Sequence, residues 1–471
     1  MIFFSNGYLL VVLSALGLYW LYWRVGARAQ NWLLLLSSLA FAAAYDVQFA
    51  ALLSVSTLVD YWIGLQLDWR RSDASRTRWL WASIVLNIGL LAAFRMHRFL
   101  IGAAALKWGA PAGTLASEFV VSLGLSFYVL QRLTHALDVY YRVIPPCRSL
   151  LRFAVFVSFF PLLASGPIER AVNVLPQLEQ RRRFDAQSFS GGWWLIALGA
   201  FEKVFVADHC GELASLLLHG AHPGRLATLF GMYAYALQLF ADFAGYSDMA
   251  RGAARLFGIE VMHNFEAPYL SANLSEFWQR WHVSLSSWLN DYVFRPSSTA
   301  LRNWGAAGLV CATFLTFFAS GLWHGTGVTF LVWGALHAAG LSVFLLTRRL
   351  RKRFNKRFSG ALTRSLSVVL TFHFVCLCLV VFRAPNLAEA WHVLRQLGSG
   401  THPFEGLRQA VLLVLVSGAA VFSIQALQLK HQSSLWIFKY PTWVRALCYT
   451  ALLFCILMYP GPTGRFLYAE F

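Results

Sequence analysis

Residues 317–340 read FFASGLWHGTGVTFLVWGALHAAG, two apolar runs that meet at a Trp-His-Gly turn holding His324. With their neighbours the runs are long enough to span a bilayer, at about 306–322 and about 326–346. A titratable imidazole between two such spans needs a reason, because a polar group at that depth is costly unless it is paired, lines a water-filled path or handles protons. Gly321 and Gly325 flank it and let another group approach the backbone closely. The plain alternative is a core histidine bonded to a backbone carbonyl.

Outward from this stretch the same composition continues. The chain has 471 residues, 58% hydrophobic, 16% aromatic and only 13% charged, with a mean hydropathy of +0.55. That lies far outside the soluble range and marks an integral membrane protein. The formal charge of +18 sits on Lys and Arg in short loops between apolar runs, the positive-inside pattern of membrane proteins and not a nucleic-acid surface. The longest basic cluster, RRLRKR at 348–353 continuing to Lys356 and Arg357, reads as a cytoplasmic face near anionic lipid, with docking of an acidic carrier as a second use. Seven scattered cysteines have no metal-ligand spacing and read as small buried hydrophobes. No disulfide is expected between Cys376 and Cys378, which a helix points to different faces.

In chain order, spans are expected at about 8–23, 31–45, 47–67, 79–100 and 118–140, with an outer loop holding Pro111 and Gly113 between the last two. Spans at about 190–208 and 226–248, the pair around His324, and three more at about 364–382, 410–428 and 446–460 bring the count to eleven or twelve, with both termini outside the cytoplasm. The segment at 383–409 is expected as a polar outer loop. The stretch ending FFPLLASGPIER, with Pro161, Gly166 and Pro167 and basic residues at both flanks, cannot cross once and is expected as a re-entrant segment over a cavity. Residues 275–294, SEFWQRWHVSLSSWLNDYVF, are too polar to span and are expected as an interfacial helix. Asn273 and Glu276 resemble a capping box, and Glu276 and Arg280 pair one turn apart. On that helix Phe277, Trp281 and Trp288 would form one stripe, with Trp278, His282 and Leu289 beside it. The fold class is therefore all-α and polytopic. One membrane domain covers residues 1–471: N-terminal helices to 150, a catalytic core over 151–346 and C-terminal helices beyond.

Among the other polar residues, His282 lies 42 residues before His324 and is placed to share its cavity. His337 is more than three helical turns beyond His324 and is expected outside its immediate shell. His373 reads as a packed or bonded core residue. Salt bridging to Arg251 and Arg255 is the default for Asp242 and Asp248, and Glu202 and Lys203 are expected to face protein. No histidine pair has metal-binding spacing, and neither a serine-nucleophile elbow nor a phosphate loop is present. A buried histidine in this setting suits proton abstraction from a hydroxyl, and hence acyl transfer from a thioester. His324 would be the base, and His282 would orient the donor carbonyl or hydrogen-bond the developing oxyanion, with Trp and Ser groups nearby.

At this point the motifs carry a resemblance. SEFWQRWHVSLSSWLNDYVF, GLWHG, LQLFADFAGYSDMARG, FFPLLASGPIER, LGLSFYVLQRLTHALDVYYR at 123–142 and the terminal FLYAEF together resemble the membrane-bound O-acyltransferase family over nearly the whole chain. Within it the sequence is most similar to the bacterial branch of the alginate O-acetyltransferase membrane subunit, with the teichoic-acid D-alanyltransferases as relatives. The resemblance implies helices ringed around a central tunnel that joins a cytoplasmic thioester donor, acetyl-CoA or another, to an outward-facing acceptor. It places the essential histidine at His324 and a second active-site position at His282; Trp278, Trp281, Ser286, Asp291 and Trp323 are the candidate tunnel residues. It also implies no bound cofactor, residence in a bacterial inner membrane, and hand-over of the acyl group to an extracytoplasmic partner protein and polysaccharide. Two alternatives stay open: D-alanyl transfer to a cell-wall polymer, and a proton-coupled transporter using His324, His282 and Asp242.

Overall fold

The structure, a computed structural model, describes residues 6–21, 23–108, 124–163, 166–219, 224–357, 360–400 and 406–462, with backbone alone at 6–9, 23, 94–108 and 354–357. The expected outer loop around Pro111 and Gly113, Ala164 and Ser165 of the broken segment, and the terminal FLYAEF lie outside the described residues. Among the described residues the regular structure is helical, α with short 3-10 and wider turns, besides one isolated bridge, as a bilayer demands of segments whose backbone groups must bond internally. This is a polytopic membrane protein. Among the described residues six helices are long and apolar enough to cross: Val47–Gln66, Arg225–Leu256, Arg302–His324, Val328–Leu346, Ala361–Arg383 and Leu407–His431. The other expected spans are helical too, among them Asn6–Leu21, Ala27–Tyr45, Asp73–Trp108 and Thr442–Met458. Outward faces such as Leu362, Leu366 and Leu370 are exposed, while Val375, Cys376 and Leu379 of the same helix are buried. That is the arrangement of a helix with one side in lipid. All seven cysteines are free.

The chain forms two compact units. The first, Met1–Ile196 with Met249–Met262, is pinned by buried polar ties. Arg132 on Leu125–Tyr140 meets Asp60 of Val47–Gln66 at 3.1 Å, and Asn87 Nδ2 donates to the same carboxylate at 2.9 Å. In the FFPLLASGPIER segment, the helix Leu150–Ser158 stops at Phe159, a single turn Phe160–Leu163 follows, residues 166–170 are irregular, and the next helix is Ala171–Glu179. Glu169, buried in the irregular stretch, accepts from the backbone N–H groups of Arg170, at 2.9 Å, and Met262. The break expected from Pro161, Gly166 and Pro167 is present.

The second unit, Ala197–Asp248 with His263–Phe471, holds both marked histidines. Its tightest pair is Gly305–His324 against Val328–Leu346. Small residues make that approach possible: a Cβ on Gly321 would stand 2.6 Å from the Phe330 carbonyl oxygen, and one on Gly334 would stand 2.5 Å from that of Phe317. Lys203, in the wide helical turn Glu202–Ala207, reaches Asp208 and Asp242 at 2.7 Å each, all three buried. Asp242 thus pairs with Lys203, and Arg255 of the first unit bonds Glu260 at 3.1 Å. The expected outer loop at 383–409 contains a helix, Leu387–Gln396, capped by Asn386.

The expected interfacial helix needs correcting. Its cap is present: Asn273 Oδ1 accepts from the Glu276 N–H at 2.9 Å, Glu276 Oε2 accepts from the Ala272 N–H at 2.9 Å, and Arg280 meets Glu276 at 2.9 Å. The helix ends at Arg280, however, and a second one starts at Val283. Between them Trp281 is extended and bridges Phe265 in antiparallel fashion, and His282 is left-handed at φ 45°, ψ 54°. The single stripe of Phe277, Trp281 and Trp288 therefore does not exist, because tertiary pairing with residues 264–266 overrides local helical periodicity.

Candidate active site

His324 is the last residue of its helix, whose next N–H, from Gly325, bonds the Gly321 carbonyl at 3.0 Å. The turn that follows is tight, since a Cβ on Gly325 would meet the Phe330 ring at 2.1 Å. The imidazole is 4% exposed and edged by Trp323, Trp333 and Phe382, with ring centroids at 4.8, 5.2 and 5.2 Å. His282, 1% exposed, enters from the break between the two short helices. Its ring lies 4.6 Å from Phe243 and 5.7 Å from Trp323. Trp323 is therefore a wall common to both histidines. Burial, with the neighbouring His324 as a smaller cause, holds the His282 pKa well below the ordinary imidazole value, so His282 is neutral at neutral pH.

The other candidate residues divide into groups. Trp278 packs on Phe317, Trp333 and His337 at 5.1, 5.9 and 5.0 Å, one ring removed from His324. Trp281 packs on Phe265, Tyr269 and Phe277, the last of which touches Trp278, and Ser286 donates its hydroxyl to the Trp281 carbonyl at 2.8 Å; these two brace the break that holds His282. Asp291 accepts from Asn290 Nδ2 at 3.1 Å and meets Arg295 at 3.4 Å. His373 is bonded, with Tyr233 Oη at 2.7 Å and the Val369 carbonyl at 2.8 Å.

Sequence reasoning missed Trp333, Phe243 and Phe382 as walls of the site. His337 lies outside the immediate shell of His324, as expected, one ring away behind Trp333: His337 touches Trp333 at 5.0 Å, and Trp333 touches His324. The spacing of Trp333 and His337, four residues on one helix, was the available signal. A cavity of about 860 Å³ lies on the far side of this layer, lined by Leu274, Gly340, Phe344, Thr347, Ser367 and Phe374 among others, with Arg351 and Arg364 on its wall. Phe374 is 5.7 Å from His337. An unbroken series of rings, Phe374, His337, Trp333, joins the cavity wall to His324.

A polytopic helical fold with two buried histidines on a shared tryptophan, beside a large cavity carrying arginines, fits a membrane-embedded enzyme. Residues 34–383 match the membrane-bound O-acyltransferase family, and the chain belongs to that family of enzymes. It is 33% identical over 434 residues to the probable alginate O-acetylase AlgI of Pseudomonas aeruginosa, covering 90% of this chain and 80% of that protein. It is 30% identical over 396 residues to the peptidoglycan O-acetyltransferase of Helicobacter pylori, covering 77% and 72%. To the teichoic acid D-alanyltransferase of Bacillus subtilis it is 29% identical over 271 residues, 55% of this chain and 68% of that one. The family match leaves the transporter alternative without support.

Proposed function

We propose that this enzyme moves an acetyl group from a cytoplasmic thioester, acetyl-CoA in the simplest case, to an exported or cell-surface polysaccharide through an extracytoplasmic acceptor protein. The observation that carries the reading is the ring series linking the 860 Å³ cavity to His324. The cavity has an apolar floor of Leu274 and Phe374 for a thioester arm and arginines for a donor's phosphates. His324 takes the proton of the acceptor hydroxyl as its oxygen attacks the thioester carbonyl. The tetrahedral intermediate then collapses, the C–S bond breaks, and the proton on His324 goes to the leaving thiolate. Neutral His282 has one N–H with which to hold the donor carbonyl oxygen as it gains charge. Trp278, Trp281, Ser286, Asp291 and Trp323 are proposed to line or brace the tunnel. No bound cofactor is required. The basic helix Arg348–Arg357 faces the cytoplasm in this reading, which puts the enzyme in a bacterial inner membrane with both termini outside. D-alanyl transfer is the second reading, favoured by the likeness to the teichoic acid D-alanyltransferase.

The test is acetyl content of surface polysaccharide by mass spectrometry, for wild type and His324→Ala at equal membrane levels. Loss of acetyl groups with polymer export intact is expected, amounting to at least the roughly 10²–10⁴-fold that a general base contributes. Unchanged acetylation would remove the proposal. D-alanyl esters in place of acetyl would select the second reading.

A further inference from the structure

His282 occupies an unusual place for a working histidine. It is the residue before a helix and left-handed, φ 45° and ψ 54°, a conformation that is unfavourable for a non-glycine residue and persists only where its surroundings impose it. A residue there normally spends its side chain on the first amides of the helix that follows. His282 makes no such cap. Asn264 does that work from another part of the chain. Its backbone carbonyl accepts from the Val283 N–H at 2.9 Å, and its side-chain Oδ1 accepts from the Ser284 N–H at 3.4 Å and from Ser284 Oγ at 2.6 Å. Its Nδ2 donates to Ser247 Oγ, on the spanning helix Arg225–Leu256, at 2.9 Å. All three side chains are buried, Asn264 and Ser247 at 1% exposure and Ser284 at 0%.

We propose that Asn264 is the positioning residue of the site: it caps the helix in place of His282 and anchors the turn to Ser247, so that the imidazole is released toward Trp323 and His324. The Phe265–Trp281 bridge and the Glu266 N–H bond to the Arg280 carbonyl, 3.0 Å, hold the other side of the same turn. The residue acts through His282 and touches no reacting atom, and the inference rests on the role given to His282 above. Displacement of a working group by about 1 Å is enough to cost on the order of 10²-fold in rate.

The experiment follows thiol release from acetyl-CoA, with water as the acyl acceptor yielding acetate, by the purified protein in lipid nanodiscs, normalised to folded enzyme. Asn264→Ala is expected to lower kcat by about 30-fold with KM for acetyl-CoA within about twofold, because donor binding is untouched while His282 is displaced. Asn264→Ala and Ser284→Ala are expected to be non-additive in kcat, since they remove one bond from either end. Should Asn264→Ala fail to fold, Ser247→Ala, which deletes only the anchor hydroxyl, carries the test with a kcat loss of about 3–10-fold. Unchanged kcat per folded molecule, or additive effects in the double variant, would overturn the proposal. His282→Asn separates the two levels. If it too keeps wild-type kcat, the role of His282 falls and this inference with it; if it loses activity while the Asn264 and Ser247 variants do not, the clamp alone falls.

Discussion

A histidine that must stay neutral in the interior carries a penalty that depends on pH. His282 has its pKa pushed well down by burial, whereas in the unfolded chain it takes up a proton below about pH 6.5. The unfolded state then binds more protons than the folded one, so this group's contribution to stability falls as pH drops below about 6.5, by up to ~1.4 kcal/mol per pH unit, until the folded pKa is reached. His282→Asn removes the titration while keeping a residue that tolerates the left-handed backbone. Between pH 7 and pH 5 the wild-type unfolding midpoint is expected to drop more steeply than that of His282→Asn; parallel curves would show that His282 already takes up its proton in the folded protein. The residue types at 282 and 324 were legible in the sequence. Their dependence on Asn264 was not, because an asparagine in a non-periodic stretch gives no signal until the chain is folded back upon it.

At the scale of elements, the His324 helix and its successor are held together by carbonyls lying against glycines. Gly334→Leu would drive a side chain into the Phe317 carbonyl, 2.5 Å from the Cβ position, and backbone cannot yield as a side chain can. A destabilisation of about 1–3 kcal/mol is expected, with reduced activity because Trp333, the next residue back, edges His324. Thermal unfolding in detergent checks this, with the more exposed Leu336→Ala as the nearly neutral control; an unshifted midpoint for Gly334→Leu would mean the two helices do not meet there. These spans were readable because apolar run length and glycine content report bilayer crossing and close packing directly. The break at Trp281–His282 was not, since a local capping box and a helical stripe both argued for continuity.

Across the second unit as a whole, one buried ammonium joins distant parts of the sequence. Lys203 holds Asp208, five residues on, and Asp242 on the spanning helix. Lys203→Met would leave both carboxylates without that ammonium, and removing one partner of a buried ionic set costs about 3–5 kcal/mol. The expected result is a large loss of folded protein, read by size-exclusion chromatography, partly restored in a Lys203→Met, Asp242→Asn double variant. A single variant that folds like wild type would show the tie to be dispensable.

Composition, loop charge and the Trp-His motifs by themselves determined a polytopic helical membrane enzyme and pointed to His324 and His282, because hydrophobic length and charge placement are properties of the chain and need no partner. Tertiary structure alone decided which rings surround the histidines, why His337 lies one ring from His324, which cation answers Asp242, and what holds His282 in its left-handed turn. Each of these is a contact between segments far apart in sequence, and no local pattern records which distant side chain will fill a given space.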